Sequence, residues 1–232
     1  MKIINAHADI LFLDDQRAID EVFARIETAG RTCYKSEANM TPESARAFAR
    51  IAVQMGHESV LEHGFVMVRF TVDRGVSHEI VRHRIASYSQ ESTRYCNYSK
   101  DKFGNEPTFI MPCFFMEDKD GVNKEGKDIW KTAMDASEAA YLAMLNKNCT
   151  PQEARSVLPN SLKTEVVMTA NVRSWRNFFR LRAACEKGMP HPQMLEVAVP
   201  LFQKMKEIFP ELFDDIVIPD EIIKKYGKNE GK

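Results

Sequence analysis

Apolar residues recur along this chain with the period of amphipathic helices, and two segments instead have the composition of β-strands. The helical period predicts helices over residues 18–30, 77–85, 126–147 and 191–208. Segments rich in β-branched and aromatic residues predict strands over 65–72 and 163–170. Because helix and strand signals alternate without an internal repeat, we expect one mixed α and β domain.

Capping residues predict where further helices begin and end. The run Thr41-Pro42-Glu43 combines a hydroxyl cap with proline at the first helical position, and Gly56 suits the left-handed residue that ends the same helix. Thr150 and Glu153 have the spacing of a capping box, which opens another helix. Ser174 is expected to cap an aromatic-rich helix.

Glycine and proline residues predict the loops and the domain boundary. They make the segment 99–125 a loop or hairpin excursion. We expect the single domain to cover residues 1–219 and a polar C-terminal tail to cover 220–232.

Composition and charge narrow the function classes. The 232 residues are 44% hydrophobic and carry a formal net charge of −1, whereas a non-specific nucleic-acid-binding protein would spread excess positive charge widely. No apolar run approaches the roughly 18 residues of a membrane span, and the N-terminal segment lacks a secretory pattern, so we expect a cytoplasmic protein with no membrane partner. Five scattered cysteines fit reduced thiols better than disulfides or a zinc site.

The segment Arg82–Tyr95 concentrates groups that bind anions. It contains three arginines, one histidine, two tyrosines and four serine or threonine hydroxyls. Guanidinium groups offer paired donors that match phosphate oxygens, and hydroxyls fill the remaining acceptor positions. We interpret the segment as a binding surface for an anionic ligand. A nucleophilic dyad of Ser92 and His83 is an alternative, for which no third orienting residue is evident.

Two further clusters contain candidate site residues. The run 56–64 has two histidines and two acids, but the spacing of His57 and His63 matches no standard metal signature, which leaves a hydrogen-bonded turn as the simpler interpretation. In the run 171–182, Arg173 lies at a predicted helix N-terminus, where backbone amides already favour an anion. A cation at that end favours a ligand site, and the alternative is that these arginines pair with surface acids.

Taken together, the three clusters resemble the motifs of the flavin-dependent thymidylate synthases. Arg82-His83-Arg84, followed after seven residues by Ser92, matches that family's Arg-His-Arg-x7-Ser signature. The Gly-His-x-Ser-x-x-Glu-His run at 56–63 resembles the second motif, and Leu158-Pro159 together with 171–182 resembles the third. Order and spacing agree over roughly residues 30–100 and 150–185.

This resemblance implies a fold, a reaction and partners. The implied fold is α+β (mixed α/β), with a central twisted sheet flanked by helices. The implied reaction is reductive methylation of dUMP to dTMP, with 5,10-methylenetetrahydrofolate as carbon donor, NADPH as reductant and FAD as hydride carrier. The family forms homotetramers whose active sites are assembled from several subunits. We therefore expect small-molecule substrates and a homotetramer, with no nucleic acid and no metal.

The matched positions imply roles for individual residues. The positions matched to cofactor contacts are Ser59, Glu62, Arg82, His83, Arg84, Gln90, Asn171, Arg173 and Asn177. The positions matched to contacts with the pyrimidine nucleotide are Glu79, Arg82, Gln90, Ser92, Arg94, Arg155 and Arg182. Arg182 is the implied catalytic residue, because a guanidinium fixed beside the uracil ring favours an electron-rich ring without a cysteine nucleophile.

This chain departs from the family pattern near the nucleotide site. Ser89-Gln90 stand where the family usually has Asn-Glu, Glu79 stands where glutamine is common, and Glu186 stands where histidine is common. The segment 187–192 looks like an insertion. Gln90 can still hydrogen-bond a sugar hydroxyl or a base, but it carries no negative charge.

These departures leave two alternatives open. One is a family relative that alkylates another pyrimidine nucleotide. The other is a non-catalytic nucleic-acid-binding protein in which Tyr88 and Tyr95 stack on bases.

Overall fold

The computed structural model describes residues 1–116 and 122–227, which divide into two compact units built from separate stretches of chain. The first unit comprises Met1–His7, Phe70–Arg82 and Ser89–Val166. The second unit comprises Ala8–Arg69, His83–Tyr88 and Val167–Lys232.

The described residues form both strands and helices. The strands are β1 (Lys2–Ile4), β2 (His7–Leu11), β3 (Phe65–Asp73), β4 (Ala86–Gln90), β5 (Thr108–Ile110) and β6 (Lys163–Asn171). The α-helices are α1 (Gln16–Tyr34), α2 (Ser44–Gln54), α3 (Arg74–Ile80), α4 (Val122–Asn146), α5 (Pro151–Ala154), α6 (Val172–Arg182), α7 (Pro192–Ile208), α8 (Pro210–Phe213) and α9 (Asp220–Tyr226). None of these helices is long and apolar enough to cross a membrane.

The strands pair in two sheets. In the first unit, β1 pairs in parallel with β5. The other four strands form a sheet in the order β2-β3-β6-β4. Strands β3 and β6 run antiparallel, because Val172 N donates to Gly64 O at 2.8 Å and Arg74 N donates to Leu162 O at 3.1 Å. Every second residue of β6 from position 164 onward is buried, as the period of two requires.

Each unit has its own apolar core. In the second unit, Trp175, Phe178 and Phe179 of α6 are fully buried, and the Trp175 indole N–H donates to Val66 O at 3.1 Å, which fixes α6 against β3. The Phe179 ring packs edge-on against Phe202 of α7 at 5.3 Å. Burial of each such ring contributes about 1.5–3 kcal/mol. In the first unit, the core residues are Tyr98, Phe109, Met134, Tyr141, Ala154 and Leu162.

The long elements agree with the sequence. Both predicted strands are confirmed as β3 and β6, each with one further residue at its C-terminal end. The predicted helix over 18–30 is confirmed as α1, which is longer at both ends, and the helix over 191–208 is confirmed as α7. The Thr150–Glu153 capping box is confirmed at the start of α5.

Three predicted helix starts are wrong. Helix α2 begins at Ser44 and not near Thr41, whose hydroxyl accepts from Glu43 N at 3.3 Å in the preceding turn. Helix α6 is capped by Asn171 and not by Ser174. Helix α3 covers Arg74–Ile80 and not 77–85, because the Asp73 carboxylate caps it from the end of β3.

The segments predicted as an excursion and as a tail contain further helices and a strand. The predicted excursion 99–125 contains β5 and the start of α4, and its residues 117–121 lie outside the described part. Residues Asp220–Tyr226 of the predicted tail form α9, in which Ile222 is buried, while 228–232 lie outside the described part. The assignment of 1–219 as a single domain stays a prediction.

Candidate active site

Helix α6 of the second unit presents several predicted site residues. Its cap, Asn171, is buried, and its Oδ1 accepts from Ser174 N at 2.8 Å. Arg173 and Asn177 are exposed one turn apart on the same side of the helix. Asn171 therefore fixes the start of the helix from inside, while the other two side chains lie at the surface.

Arg173 is held by acids of the 56–64 turn. Its Nη1 donates to Glu62 at 2.6 Å, and its Nε lies 3.4 Å from Glu58. Two carboxylates of this chain therefore compensate the charge of Arg173, as the pairing interpretation predicts, and the expectation of an external anion there stays a prediction. The assignment of Arg173 as a flavin contact stays a prediction as well.

Two other arginines of α6 support the pairing interpretation. Arg176 is 2% exposed and forms a bidentate pair with Asp215 at 2.6 and 2.7 Å, besides donating to Leu212 O. Arg180 approaches Asp215 at 3.4 Å and Glu58 at 3.5 Å. These two arginines connect α6 to neighbouring segments.

The 56–64 run is a hydrogen-bonded turn, as the simpler interpretation predicts. Leu61 N donates to Glu58 O at 3.1 Å and Glu62 N to Ser59 O at 3.2 Å, which makes a 3-10 turn over Val60–His63. Within residues 1–116 and 122–227, no three His, Cys, Asp or Glu side chains converge as metal ligands.

A groove of about 660 Å³ opens beside this turn in the second unit. Ser59, Glu58 and Arg173 form part of its polar lining. The apolar part of the lining comes from the end of α1, from α2 and from the residue after α2, and it includes Tyr34, Phe48, Ile51, Ala52 and Met55. A groove that combines apolar side chains with a hydroxyl and an ion pair suits a ligand with an aromatic ring system and a few polar groups.

His83 and Arg182 meet in the second unit. Arg182 Nε donates to His83 Nε2 at 2.9 Å, and the imidazole packs edge-on against Phe178 at 4.8 Å. Burial, followed by the adjacent Arg182 charge, lowers the pKa of His83 to about 4. The histidine is therefore neutral at physiological pH and acts as an acceptor.

The segment after His83 is anchored by backbone contacts. Ser174 Oγ donates to Ile85 O at 3.1 Å, and the Tyr88 hydroxyl donates to His83 O. Burial raises the pKa of Tyr88 to about 12. Arg84 is exposed between these anchors, so its guanidinium is available to a ligand.

In the first unit, one turn carries two predicted nucleotide contacts and is touched by a third. The Arg155 guanidinium donates to Thr93 Oγ1 at 3.0 Å, which places it beside the turn that holds Ser92 and Arg94. Ser92 Oγ accepts from Arg94 N at 3.3 Å, and the Arg94 guanidinium lies 5.5 Å from the Tyr95 ring centroid. We call Ser92, Arg94 and Arg155 the phosphate cluster.

The other predicted nucleotide contacts of the first unit lie on α3 and β4. Arg82 is exposed two residues after α3, and its backbone N–H donates to Glu79 O at 3.2 Å. Gln90 ends β4, and its Nε2 donates to Ser77 Oγ at 3.0 Å and to Thr164 Oγ1 at 3.3 Å.

Among the described residues, four predicted site arginines outside α6 differ from Arg173, Arg176 and Arg180 in having no acidic partner. In the part of the chain that the structure describes, Arg82, Arg84, Arg94 and Arg155 form no ion pair with an acid. Guanidinium groups without acidic partners are the donors that an anionic ligand requires.

Sequence reasoning missed several residues that hold the site residues in place. Thr93 contacts Arg155, and its position between two predicted phosphate contacts was an available signal. Ser77 and Thr164 hold Gln90, and the alternation along β6 already marked Thr164 as buried. The pairing of Glu58 with Arg173 and Arg180 had no signal in the sequence.

Comparison with known proteins agrees with these motifs. The family model described as thymidylate synthase complementing protein matches residues 17–211. The flavin-dependent thymidylate synthase of Mycolicibacterium gilvum is 32% identical over 213 residues, covering 84% of this chain and 80% of that protein. The enzyme of the same name from Geobacter sulfurreducens is 32% identical over 199 residues, covering 83% and 81%. The chain belongs to the flavin-dependent thymidylate synthase family.

A solved structure also agrees with the expected fold. The crystal structure of a UMP/dUMP methylase, PolB, from Streptomyces cacaoi with 5-Br dUMP aligns with a TM-score of 0.72 over 100% of both chains, at 18% identity. The predicted α+β fold of flavin-dependent thymidylate synthases is thus confirmed. As a member of that family, the chain is an FAD-dependent methyltransferase.

Proposed function

We propose that this flavin-dependent thymidylate synthase converts dUMP to dTMP, with 5,10-methylenetetrahydrofolate as carbon donor and NADPH as reductant. The observation that carries the proposal is the phosphate cluster, in which the Arg155 guanidinium contacts Thr93 in the turn that also carries Ser92 and Arg94. Guanidinium and hydroxyl groups are the donors that a nucleoside monophosphate needs for its terminal oxygens. In this role Ser92 binds phosphate and does not attack the substrate.

The groove of the second unit fits FAD by the chemistry of its lining. Ser59 and Arg173 supply polar donors, and the apolar part of the lining supplies a surface for rings. When bound, FAD supplies hydride transfer between NADPH and the one-carbon unit. The residues of the second unit that would hold it are Ser59, Glu62, His83, Arg84, Asn171, Arg173 and Asn177. Arg82 and Gln90, which belong to the first unit, stay cofactor contacts implied by the resemblance.

Arg182 is the proposed catalytic residue. Its Nε is engaged by the neutral His83, so the guanidinium keeps its full charge and a fixed direction. A fixed cation beside the uracil carbonyls stabilises negative charge on the ring and makes C5 more nucleophilic. No cysteine is required for this activation.

Several features bear on partners and location. The groove exposes Tyr34, Ile51 and Met55, which are 68%, 57% and 65% exposed. Large apolar side chains around a binding groove support burial by ligand and by further copies of the chain, as in a homotetramer. We further propose a cytoplasmic enzyme that uses small molecules and needs neither a metal nor nucleic acid.

The test starts with the absorption spectrum of the purified protein. We expect flavin bands that bleach anaerobically with NADPH in the presence of dUMP, and dTMP formation after 5,10-methylenetetrahydrofolate is added. A colourless protein that does not take up FAD would overturn the proposal. UMP and dCMP in the same assay separate dUMP methylation from alkylation of another pyrimidine nucleotide, and oligonucleotide binding tests the nucleic-acid alternative.

A further inference from the structure

The side-chain amide of Gln90 is fixed by two buried hydroxyl groups of the first unit. Its Nε2 lies 3.0 Å from Ser77 Oγ on α3 and 3.3 Å from Thr164 Oγ1 on β6. Both Ser77 and Thr164 are 0% exposed. The amide therefore ties the end of β4 to α3 and β6.

The hydroxyl of Ser77 decides which way the amide faces. Ser77 Oγ donates its single proton to Arg74 O at 2.8 Å, so toward Gln90 it can only accept. If the amide were turned over, Oε1 would face the Ser77 oxygen with no proton between them. The hydrogen-bond network thus assigns Nε2 to the hydroxyls and turns Oε1 away from them.

The outward atom of Gln90 is consequently an acceptor. Oε1 forms no hydrogen bond to the residues that the structure describes, and it is not among their buried, unsatisfied atoms. It lies at the end of β4, two residues before Ser92 of the phosphate cluster. A neutral carbonyl oxygen at this place can accept from an N–H or O–H group without adding negative charge.

We propose that Ser77 and Thr164 are positioning residues, which hold Oε1 of Gln90 toward a hydrogen-bond donor of the bound nucleotide. The nucleotide contact of Gln90 itself is the one that the family resemblance implies. This inference rests on the proposed function. The donor is either the N3–H of a neutral uracil or a hydroxyl of the sugar, since both present a proton to a carbonyl oxygen.

The experiment measures the Kd of the FAD-loaded enzyme for dUMP from the flavin absorbance change on titration. Gln90→Met removes the acceptor while keeping the side chain's length, and we expect Kd to rise about fivefold. Ser77→Ala/Thr164→Val releases the amide and should raise Kd by a similar factor. Thr169→Val, on the other face of β6, is the matched control and should leave Kd unchanged.

Combining the substitutions shows whether Ser77 and Thr164 act through the Gln90 amide or affect dUMP binding independently of it. With Met at position 90, the further change of Ser77 and Thr164 should cause no additional loss, because both act through the same amide. Losses that multiply, or variants that bind dUMP like the wild type, would overturn the inference. Where the double variant does not fold, the single variant Thr164→Val takes its place in this comparison.

Nucleotide analogues identify the donor. Gln90→Met should not weaken binding of N3-methyl-dUMP if the donor is the base, or of 2′,3′-dideoxyuridine monophosphate if it is the sugar. Equal losses for dUMP and both analogues would overturn the inference. A wild-type enzyme that methylates no pyrimidine nucleotide would instead count against the proposed function, so the two failures are distinguishable.

Discussion

Arg182 donates through Nε to Nε2 of His83 at 2.9 Å, which joins the middle residue of the Arg-His-Arg motif to the proposed catalytic arginine 99 positions later. Because Nε2 accepts, the imidazole proton is on Nδ1. The edge of Phe178 covers the ring at 4.8 Å and limits its rotation. His83 is therefore a fixed neutral acceptor for Arg182, in addition to its proposed contact with flavin.

Removing this acceptor should slow the reaction more than it weakens substrate binding. We expect His83→Leu to lower kcat for dTMP formation by about 10- to 100-fold, the cost of losing a hydrogen bond to a charged group. His83→Gln offers an acceptor at a similar distance and should recover part of the rate. The flavin content of both variants, measured by absorbance, tests whether cofactor binding is unaffected; equal kcat for His83→Leu and wild type would contradict the positioning role.

The lowered pKa of His83 predicts a pH dependence of stability. Between the ordinary value of 6.5 and the folded value of about 4, the unfolded chain binds more protons than the folded chain. The free energy of unfolding therefore rises with pH in this window and falls as the solution is acidified. From pH 7 to pH 5 we expect His83 to account for a loss of about 2 kcal/mol.

Urea unfolding of wild type and His83→Gln at pH 7 and pH 5 measures this contribution. The wild type should lose more stability than the variant over the same interval. An equal loss in both proteins would assign the acid sensitivity to other groups and contradict a neutral, buried His83.

The pair of Arg176 and Asp215 should contribute strongly to stability. Burial opposes ionisation of Asp215, but the hydrogen bonds and charge of Arg176, with the charge of Arg180, outweigh it and lower the pKa of this carboxyl. Asp215→Ala leaves a guanidinium that is 2% exposed without its acid and should cost about 2–3 kcal/mol. Asp214→Ala, at the neighbouring position that is 61% exposed, should cost about 0.5 kcal/mol or less. Urea unfolding of both variants compares the two costs, and equal costs would contradict this assignment.

The phosphate cluster should recognise the phosphate and not the nucleoside. We expect Arg94→Ala and Arg155→Ala each to raise the KM for dUMP about tenfold through loss of charge-assisted hydrogen bonds. Binding of deoxyuridine, measured by flavin absorbance in the same variants, should be unchanged. Arg17→Ala, at a position 87% exposed on α1, serves as the arginine control. Parallel losses for dUMP and deoxyuridine would rule out a specific phosphate contact.

Local signals in the sequence were sufficient for the long elements but not for helix starts. Strands β3 and β6 contain β-branched and aromatic runs, so composition alone located them within one residue. The start of α6 depended on which polar side chain accepts from a free backbone amide. Asn171 and Ser174 are both good caps, and only the end of β6 decided in favour of Asn171.

The motifs by themselves determined the family, because order and spacing of three polar clusters are written along the chain. Which arginines of these clusters are paired with an acid was decided by tertiary structure. Both Arg173 and Arg155 are motif arginines in the sequence. In the described residues, the guanidinium of Arg173 pairs with two carboxylates of the 56–64 turn, whereas that of Arg155 donates to the Thr93 hydroxyl and pairs with no acid. Likewise, that Gln90 accepts with Oε1 follows from a proton that Ser77 gives to Arg74 O. Hydrogen bonds and ion pairs act over a few ångströms in space, so no spacing along the chain could have predicted them.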